Sequence, residues 1–265
     1  MSGDGEDWRR RVEAVLGPAT DARPLGDGVW ALSTRSGPVV VKRGPGASDE
    51  AEGLARLASW PGAPPVPDVV VAEPGLVALR WVDQGPRTAG HDEFLGRSLA
   101  GLHDAPWPEW GGGSSWIGSC RADPAVHADG PSFLTARLGQ LAERCGLGPQ
   151  TDRLSARIGS LLPPDGPSLL HGDLWWGTVL WGADGRAWLI DPSVHGGYPE
   201  EDLAMLALFG TVPDAVVRSY VEVRPLAEGW EDRVGLFQLV PLLVHTILFG
   251  GAYRARAEEV LHRLS

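Results

Sequence analysis

Two aspartates stand in short, distinctive contexts in the second half of the chain. Asp173 lies in a His-Gly-Asp segment and Asp191 in an Ile-Asp-Pro segment. Two strand-like runs separate them, joined by residues 183–185 (Ala-Asp-Gly), which are typical of a hairpin turn. Closing this hairpin would bring both carboxylates to one side of it. Both could instead be surface turn residues, an interpretation that suits Asp184 inside the turn itself. The buried character of the flanking strands favours a site.

Two carboxylates held close together, with no basic residue beside them in the sequence, repel one another, and a bound divalent cation relieves that repulsion. One carboxylate can then hold magnesium while the other accepts a proton from an attacking hydroxyl. That division of labour is typical of phosphoryl transfer, in which catalysis consists mostly of positioning and charge neutralisation. We therefore expect Asp173 and Asp191 to serve phosphoryl transfer to a hydroxyl.

A lysine in the N-terminal part could bind the phosphates of the nucleotide. Lys42 ends the strand-like run Val-Val-Val-Lys, from which it could reach the α- and β-phosphates of ATP. Glu50, Leu54 and Leu57 lie on one face of the predicted helix that follows. If the leucines face the core, Glu50 also faces inward and can pair with Lys42. The alternative is a surface lysine on an edge strand.

Two further segments are candidates for nucleotide contacts. Gly26 and Gly28 flank Asp27 in a short turn that could lie over the phosphates, although it lacks a full Gly-rich motif and a plain hairpin turn explains it equally. Residues 80–82 (Arg80, Trp81 and Val82) fall where the composition changes. Their backbone could form hydrogen bonds with adenine.

The pattern of elements predicts an α+β protein of two lobes. Residues 1–82 read as a small, mostly antiparallel sheet with one internal helix, and residues 83–265 as a larger, mainly helical lobe. Clefts between such lobes are favoured ligand sites. The segment 235–253 is strongly apolar but contains a glutamine, a proline, a histidine and a threonine, so we interpret it as a buried helix and not a membrane span.

Composition and charge exclude several classes of partner. The net charge of −11 makes nucleic acid an unsuitable partner. The two cysteines, Cys120 and Cys145, lack metal-site spacing and are expected to be reduced thiols. The first residues do not resemble a secretory signal, so we predict a cytoplasmic protein with no membrane partner. The oligomeric state is left open.

The segments HGDLWWGTVLW (171–181) and LIDPSVHGGYPEEDLAMLALFG (189–210) resemble the fructosamine kinase, or ketosamine-3-kinase, family. The resemblance extends outwards through VVVKR, EAEGL, LAGLH and HTILFGGAY and covers nearly the whole chain. It implies a protein-kinase-like fold, related to the aminoglycoside phosphotransferases, and the use of ATP and Mg²⁺. The acceptor it implies is a small-molecule or protein-bound ketosamine. Phosphorylation of its 3-hydroxyl is followed by elimination, which frees the amine.

The resemblance also implies roles for the matching positions. Asp173 would be the catalytic base, Asp191 the magnesium ligand, and Trp175 a wall of the sugar site. Asp202 would be a buried aspartate that braces the catalytic loop, and His171 would help to fix that loop.

Thr178 stands where the family usually has an asparagine that donates an oxygen to magnesium. Its hydroxyl is a shorter and weaker candidate ligand. His195 either contacts the substrate or fills the loop after Asp191. Two rival functions stay open at this point: a kinase of the same superfamily for an aminoglycoside or another amino alcohol, and a weakly active or non-catalytic nucleotide-binding relative.

Overall fold

A five-stranded antiparallel sheet forms the N-terminal lobe of the computed structural model, which describes residues 4–264. The strands lie in the order β1-β2-β3-β5-β4. Helix α1 precedes the sheet, and α2 connects β3 to β4. The bounds are α1 (Asp4–Leu16), β1 (Ala19–Gly26), β2 (Val29–Thr34), β3 (Gly37–Arg43), α2 (Ala47–Ala58), β4 (Val69–Glu73) and β5 (Leu76–Arg80).

Alternation along β3 explains how this lobe is packed. Val39 and Val41 are fully buried on the face covered by α1, where they join Trp8 and Val12 in one core cluster. Because successive side chains of a strand point to opposite faces, Lys42 lies on the other face, towards α2. The alternation that buries Val39 and Val41 on one face of the sheet therefore places Lys42 on the face towards the cleft.

The strand β1 was not predicted from the sequence. Most of its residues are exposed, it contains Pro24, and it pairs only with β2 at the edge of the sheet. Such a strand carries no alternating apolar pattern, and proline is tolerated at an edge. Helix α2 begins at Ala47, after Gly46, without a side-chain cap.

The remainder of the chain is mainly helical, as predicted. Its helices are α3 (Ala89–His103), α4 (Gly130–Cys145), α5 (Gly148–Ser155), α6 (Pro199–Leu206), α7 (Asp214–Val223), α8 (Trp230–Phe237), α9 (Leu239–Phe249) and α10 (Ala252–Leu264). The last strand of the first sheet ends at Arg80 and α3 begins at Ala89. The predicted boundary at residues 82 and 83 falls inside this connecting segment.

By length and composition alone, the helical stretch Trp230–Phe249 could cross a membrane, a test that the core helix of a soluble protein also passes. Its second half, α9, buries Leu239, Leu242 and Leu243 completely in the largest core cluster of the helical lobe. That packing supports the interpretation of this segment as a core helix.

Short strands at the centre of the larger lobe position the two aspartates. The predicted hairpin is present as β11 (Val179–Trp181) paired with β12 (Ala187–Leu189). A second sheet, in the order β10-β13-β6-β9, was not predicted because its strands have only two or three residues. They are β6 (Trp110–Gly111), β9 (Val126–His127), β10 (Ser168–Leu170) and β13 (His195–Gly197); β7 (Trp116–Ile117) and β8 (Cys120–Arg121) form a separate pair.

Candidate active site

Lys42 joins the two lobes through two ion pairs. Its ammonium group lies 2.7 Å from a carboxylate oxygen of Glu50 on α2 and also contacts the carboxylate of Asp191 in the larger lobe. The Lys42 and Glu50 side chains are mostly buried, whereas that of Asp191 is 44% exposed. Glu50 thus holds the lysine at the cleft, where its charge faces Asp191.

The backbone at Asp191 is held in an unusual conformation. Its φ angle is 57°, and among the described residues 4–264 it is the sole non-glycine residue with a positive φ. Such a conformation costs about 1–3 kcal/mol and persists where the surrounding structure enforces it, often at functional sites. The strain aims the Asp191 carboxylate into the cleft beside Lys42.

His171 ties together the two segments that carry the aspartates. Its side-chain Nε2 lies 3.0 Å from the Ile190 carbonyl oxygen. Its own carbonyl accepts a hydrogen bond of 2.7 Å from the Ser193 N–H. The imidazole is fully buried, and burial lowers the pKa of His171. The neutral ring therefore holds the Asp191 segment against the loop that begins at His171.

Asp202 on α6 stabilises the same loop through hydrogen bonds to its backbone. It accepts hydrogen bonds from the N–H groups of His171 (2.8 Å) and Gly172 (2.9 Å). His103 Nε2 lies 3.1 Å from the same carboxylate, and Tyr220 in turn bonds to His103. Burial alone would raise the pKa of Asp202, but the hydrogen bond and charge of His103, together with His171 and the Gly172 N–H, outweigh burial and lower the pKa.

Asp173 follows directly on this braced turn. Burial, and to a lesser degree the negative charge of Asp202, raise the pKa of Asp173 to about 7. A carboxylate with a pKa near neutrality is well matched to the task of a general base. The turn requires glycine at position 172, where φ is +79° and a Cβ atom would overlap the Ser193 carbonyl oxygen and crowd the His195 ring.

A cavity of about 380 Å³ lies between the lobes on the side of Lys42. Asp191, Glu50 and Asp27 contribute charged side chains to its wall, and the loop at residues 114–119 closes its far side. Asp49 holds that loop, because its carboxylate accepts hydrogen bonds from the Ser115 N–H (2.6 Å) and from a second serine of the loop.

The side chains around the first cavity suit a magnesium ion better than a metal ion that is coordinated by protein ligands alone. Among the described residues, no group of three His, Cys, Asp or Glu side chains is placed to hold an ion by itself. Magnesium typically binds through one or two carboxylates together with substrate phosphates and water. The exposed carboxylate of Asp191 fits this pattern.

A second, narrower cavity lies on the other side of the same loop. It is lined by Asp173, Gly172 and Asp202, and Ile117 of the loop covers it. His195, which is buried, also lies in its wall. Gly118 connects the two cavities, because it lines the first one and a Cβ atom there would lie 3.8 Å from the Asp173 carboxylate. The two cavities thus place Asp191 and Asp173 on either side of one short loop.

The predicted nucleotide segments lie near the first cavity in different ways. Asp27, between Gly26 and Gly28, contributes to its wall, and the Gly28 carbonyl accepts a hydrogen bond of 2.9 Å from the Arg43 N–H. By contrast, a separate cavity of about 430 Å³ is lined by the three connector residues Arg80, Trp81 and Val82.

Hydrogen bonds within the protein already engage part of the connector backbone, which limits the residues that could bind adenine. The Arg80 N–H donates to the Asp68 carbonyl (2.8 Å) and the Trp81 N–H to the Pro38 carbonyl (3.1 Å). Within the described part of the chain, Val82 is the one of the three whose N–H has no such partner. Binding of adenine through a connector N–H therefore stays a prediction for Val82 alone.

Thr178 differs from its predicted role. It is 2% exposed, and its hydroxyl lies within hydrogen-bonding distance of the carbonyl oxygens of Asp173 (3.1 Å) and Trp175 (2.9 Å). It also accepts a hydrogen bond from the Trp175 N–H (3.1 Å). Direct coordination of a metal would break these contacts. The structure favours Thr178 as a brace of the catalytic loop over the predicted magnesium ligand.

Replacing Thr178 with valine is expected to lower the free energy of unfolding by about 0.5–1.5 kcal/mol, because the part-buried hydrogen bond from the Trp175 N–H to the threonine hydroxyl is lost. Urea unfolding would measure the change. Thr20→Val is the matched control, since the exposed Thr20 hydroxyl makes only one hydrogen bond, to Ser33. A variant with unchanged stability and a raised requirement for magnesium would instead restore the role of Thr178 as a ligand.

Trp175 stands at the surface beside the site. It is 40% exposed and packs edge-on against Phe209, with ring centroids 5.8 Å apart. Among the residues that the structure describes, it is not part of the wall of the cavity beside Lys42 or of the narrow cavity beside Asp173. Its contact with a sugar stays a prediction.

Four residues of the site were not identified from the sequence: Asp49, His103, Arg137 and Glu201. Arg137 carried a usable signal, because it interrupts the apolar face of α4 formed by Phe133, Leu134, Leu138 and Leu141, all of which are buried. A charged residue on the buried face of a helix needs a partner or a function. Asp49 and His103 act through contacts with residues far away in the chain, for which no local pattern exists. Glu201 instead accepts a hydrogen bond from the Tyr198 N–H three residues before it, a spacing typical of a helix N-terminus.

The two lobes and the cleft between them define a protein-kinase-like phosphotransferase fold. A solved structure of an ADP-bound aminoglycoside phosphotransferase shares this fold, with a TM-score of 0.64 over 97% of both chains at 16% identity. Within that class, the family model described as fructosamine kinase matches residues 48–265. The chain belongs to the fructosamine kinase family.

Individual relatives agree with this assignment. A probable ketoamine kinase of Thermus thermophilus is 35% identical over 189 residues, which cover 69% of this chain and 69% of the relative. The solved structure of a "putative fructosamine-3-kinase" from Thermobifida fusca has a TM-score of 0.85 at 35% identity and covers 97% of both chains. Family membership makes the protein a phosphotransferase of the kinase type.

Proposed function

We propose that the protein transfers the γ-phosphate of ATP to a sugar hydroxyl of a ketosamine, with Mg²⁺ as cofactor. The observation that carries this proposal is the arrangement of Lys42, Asp191 and Asp173 around one loop, in a chain of the fructosamine kinase family. Lys42, held by Glu50, binds the α- and β-phosphates in the cavity of about 380 Å³ whose wall it shares with Asp191. Asp191 holds the metal there, and bound Mg²⁺ neutralises negative charge on the phosphates.

Asp173 acts on the acceptor. The acceptor hydroxyl oxygen forms a bond to the γ-phosphorus while the bond between that phosphorus and the β–γ bridging oxygen breaks and ADP leaves. The hydroxyl proton passes to the Asp173 carboxylate. A pKa of about 7 makes this carboxylate a stronger base than an ordinary aspartate and still leaves it largely ionised above neutrality. The braces from Asp202, His171 and Thr178 hold it in place.

The 3-hydroxyl of a fructosyl or ribulosyl group is the acceptor that we propose. Its phosphorylation is followed by elimination of phosphate from the sugar, which frees the amine and reverses glycation. Free and protein-bound ketosamines are both candidate substrates, and the cytoplasm is the proposed location.

The test is turnover of MgATP with fructosyl-lysine, compared with a panel of aminoglycosides and with glycated protein. ADP release and ³¹P NMR of the product would report transfer, and amine analysis would report deglycation. Phosphorylation of fructosyl-lysine at its 3-hydroxyl is the expected result. Phosphorylation of aminoglycosides alone would overturn the choice of acceptor. Tight binding of MgATP without transfer to any acceptor would instead support a non-catalytic relative.

The rate is expected to depend on pH through Asp173. Because burial raises the pKa of Asp173 to about 7, the carboxyl is protonated below that pH and cannot accept the hydroxyl proton. We expect kcat/KM to fall about tenfold for each pH unit below 7 and to level off above it. The profile between pH 5.5 and 8.5 would measure this. A profile that is flat over the whole range would remove Asp173 as the base.

A further inference from the structure

Arg137 on α4 is a buried cation that interacts with the negative charge of Glu201 only at a distance. The residue is 8% exposed, and its Nε atom is buried with no hydrogen bond. Within residues 4–264 no carboxylate forms an ion pair with its guanidinium, and the guanidinium carbon lies 5.5 Å from the centroid of the Phe133 ring. Burying a charge without a partner costs several kcal/mol. Natural structures retain such a group where it serves a purpose.

The guanidinium lies in the wall of the narrow cavity that contains Asp173 and Gly172. The apolar part of that wall is formed by Met205, Phe237 and Val240. The enclosed volume is about 20 Å³, room for one hydroxyl-sized group. A ligand would therefore place one oxygen-bearing end inside the cavity, close to the base.

The charges around the narrow cavity determine which kind of ligand group can enter it. Arg137 shares the cavity with three acidic residues, Asp173, Glu201 and Asp202. Glu201 is already engaged, by the Tyr198 N–H at 2.8 Å and by His195 at 3.4 Å. A carboxylate or phosphate ligand would meet this excess of negative charge. A hydroxyl or carbonyl oxygen of a neutral sugar carries no such penalty and can accept hydrogen bonds from the guanidinium, which has donors alone.

We propose that Arg137 binds an oxygen of the acceptor sugar next to the hydroxyl that reacts, and so determines acceptor specificity. The inference rests on the proposed function and deepens it. Arg137 donates to the sugar oxygen, and the apolar wall packs against the C–H groups beside it. This contact would place the reacting hydroxyl on Asp173.

Arg137→Met and Arg137→Lys test the proposal, with Arg144→Met as control, because Arg144 lies on the same helix but is exposed. We expect Arg137→Met to raise the KM for fructosyl-lysine about tenfold to a hundredfold, as for the loss of hydrogen bonds to a charged group. The KM for ATP should stay within about twofold, in keeping with a residue outside the nucleotide cavity. Arg137→Lys should show an intermediate defect.

Stability separates ligand binding from a structural role. Loss of an unpaired buried charge should leave the melting temperature of Arg137→Met unchanged or raise it. A residue needed for the fold would instead lower the melting temperature and affect both substrates alike. That result, or an unaltered KM for fructosyl-lysine in Arg137→Met, would overturn the proposal.

Calorimetric titration of fructosyl-lysine into the wild type and Arg137→Met gives a readout that does not depend on turnover. Weaker binding by the variant is expected, and equal affinity, or no binding to the wild type, would refute the inference. Wild-type turnover reports separately on the proposed function. Analogues that each lack one sugar oxygen extend the test: the analogue without the contacted oxygen should bind the wild type and Arg137→Met equally.

Discussion

Asp173→Asn is expected to lower kcat by about 10²–10⁴, the usual contribution of a positioned general base. Asparagine keeps the size of the side chain and can still contact the acceptor hydroxyl, but it cannot take up its proton. The KM for ATP should change little, because Asp173 lines the acceptor cavity and not the one that contains Lys42. Steady-state kinetics with fructosyl-lysine would measure both quantities.

The stability of Asp173→Asn provides the control. An ordinary aspartate in the unfolded chain ionises near pH 4, whereas the pKa of Asp173 in the folded protein is about 7. The folded state therefore binds the proton more tightly, and the stability of the wild type falls as the pH rises from about 4 to 7. Asparagine lacks this penalty, so the variant should be at least as stable as the wild type at pH 8. An inactive variant that is also unfolded would not count as evidence for a catalytic base.

Asp191→Asn is expected to lower kcat/KM by about 10²–10³, in the range seen when one preorganised electrostatic contact is removed from an active site. The substitution is conservative for the backbone, because asparagine also tolerates the positive φ of 57° at this position. It removes the negative charge that faces Lys42 and the proposed metal ligand. The magnesium concentration needed for half-maximal activity should rise.

Binding of MgADP, measured by calorimetry, gives a second readout for Asp191→Asn. The dependence of ADP affinity on magnesium should weaken, while the affinity for ADP without metal should be maintained or increase, since less negative charge faces the phosphates. Asp152→Asn is the matched control because Asp152 is exposed on α5 and does not contribute to the wall of any of the three cavities described above. An unchanged magnesium dependence in Asp191→Asn would exclude Asp191 as the ligand.

Local sequence patterns were sufficient where a residue's position follows from the periodicity of its own element. The position of Lys42 at the end of a strand-like run and the helical spacing of Glu50 with Leu54 predicted the ion pair between Lys42 and Glu50, which the structure contains. The turn residues at 183–185 predicted the hairpin. The period of an element determines which of its faces a side chain occupies, and knowing that face was enough to predict this ion pair.

The same patterns failed where a role depends on which polar groups are already hydrogen-bonded within the folded protein. The Thr178 hydroxyl satisfies the Trp175 N–H and is not free for a metal, and the N–H groups of Arg80 and Trp81 donate to Asp68 and Pro38. Whether a hydroxyl or an N–H is available to a ligand depends on every group packed around it. The edge strand β1 and the two-residue strands of the second sheet were likewise too polar or too short to leave a pattern.

The sequence by itself determined the family, the two-lobed architecture and the residue types of the site, because these are written in contiguous motifs and in the periods of single elements. Only the tertiary structure decided that Asp173 and Asp191 face two cavities separated by the loop at 114–119, and that Arg137 is buried beside one of them with no hydrogen bond to its Nε atom. Burial, pairing and the pKa of a carboxyl group arise from contacts between residues far apart in the chain, and no local pattern encodes those contacts.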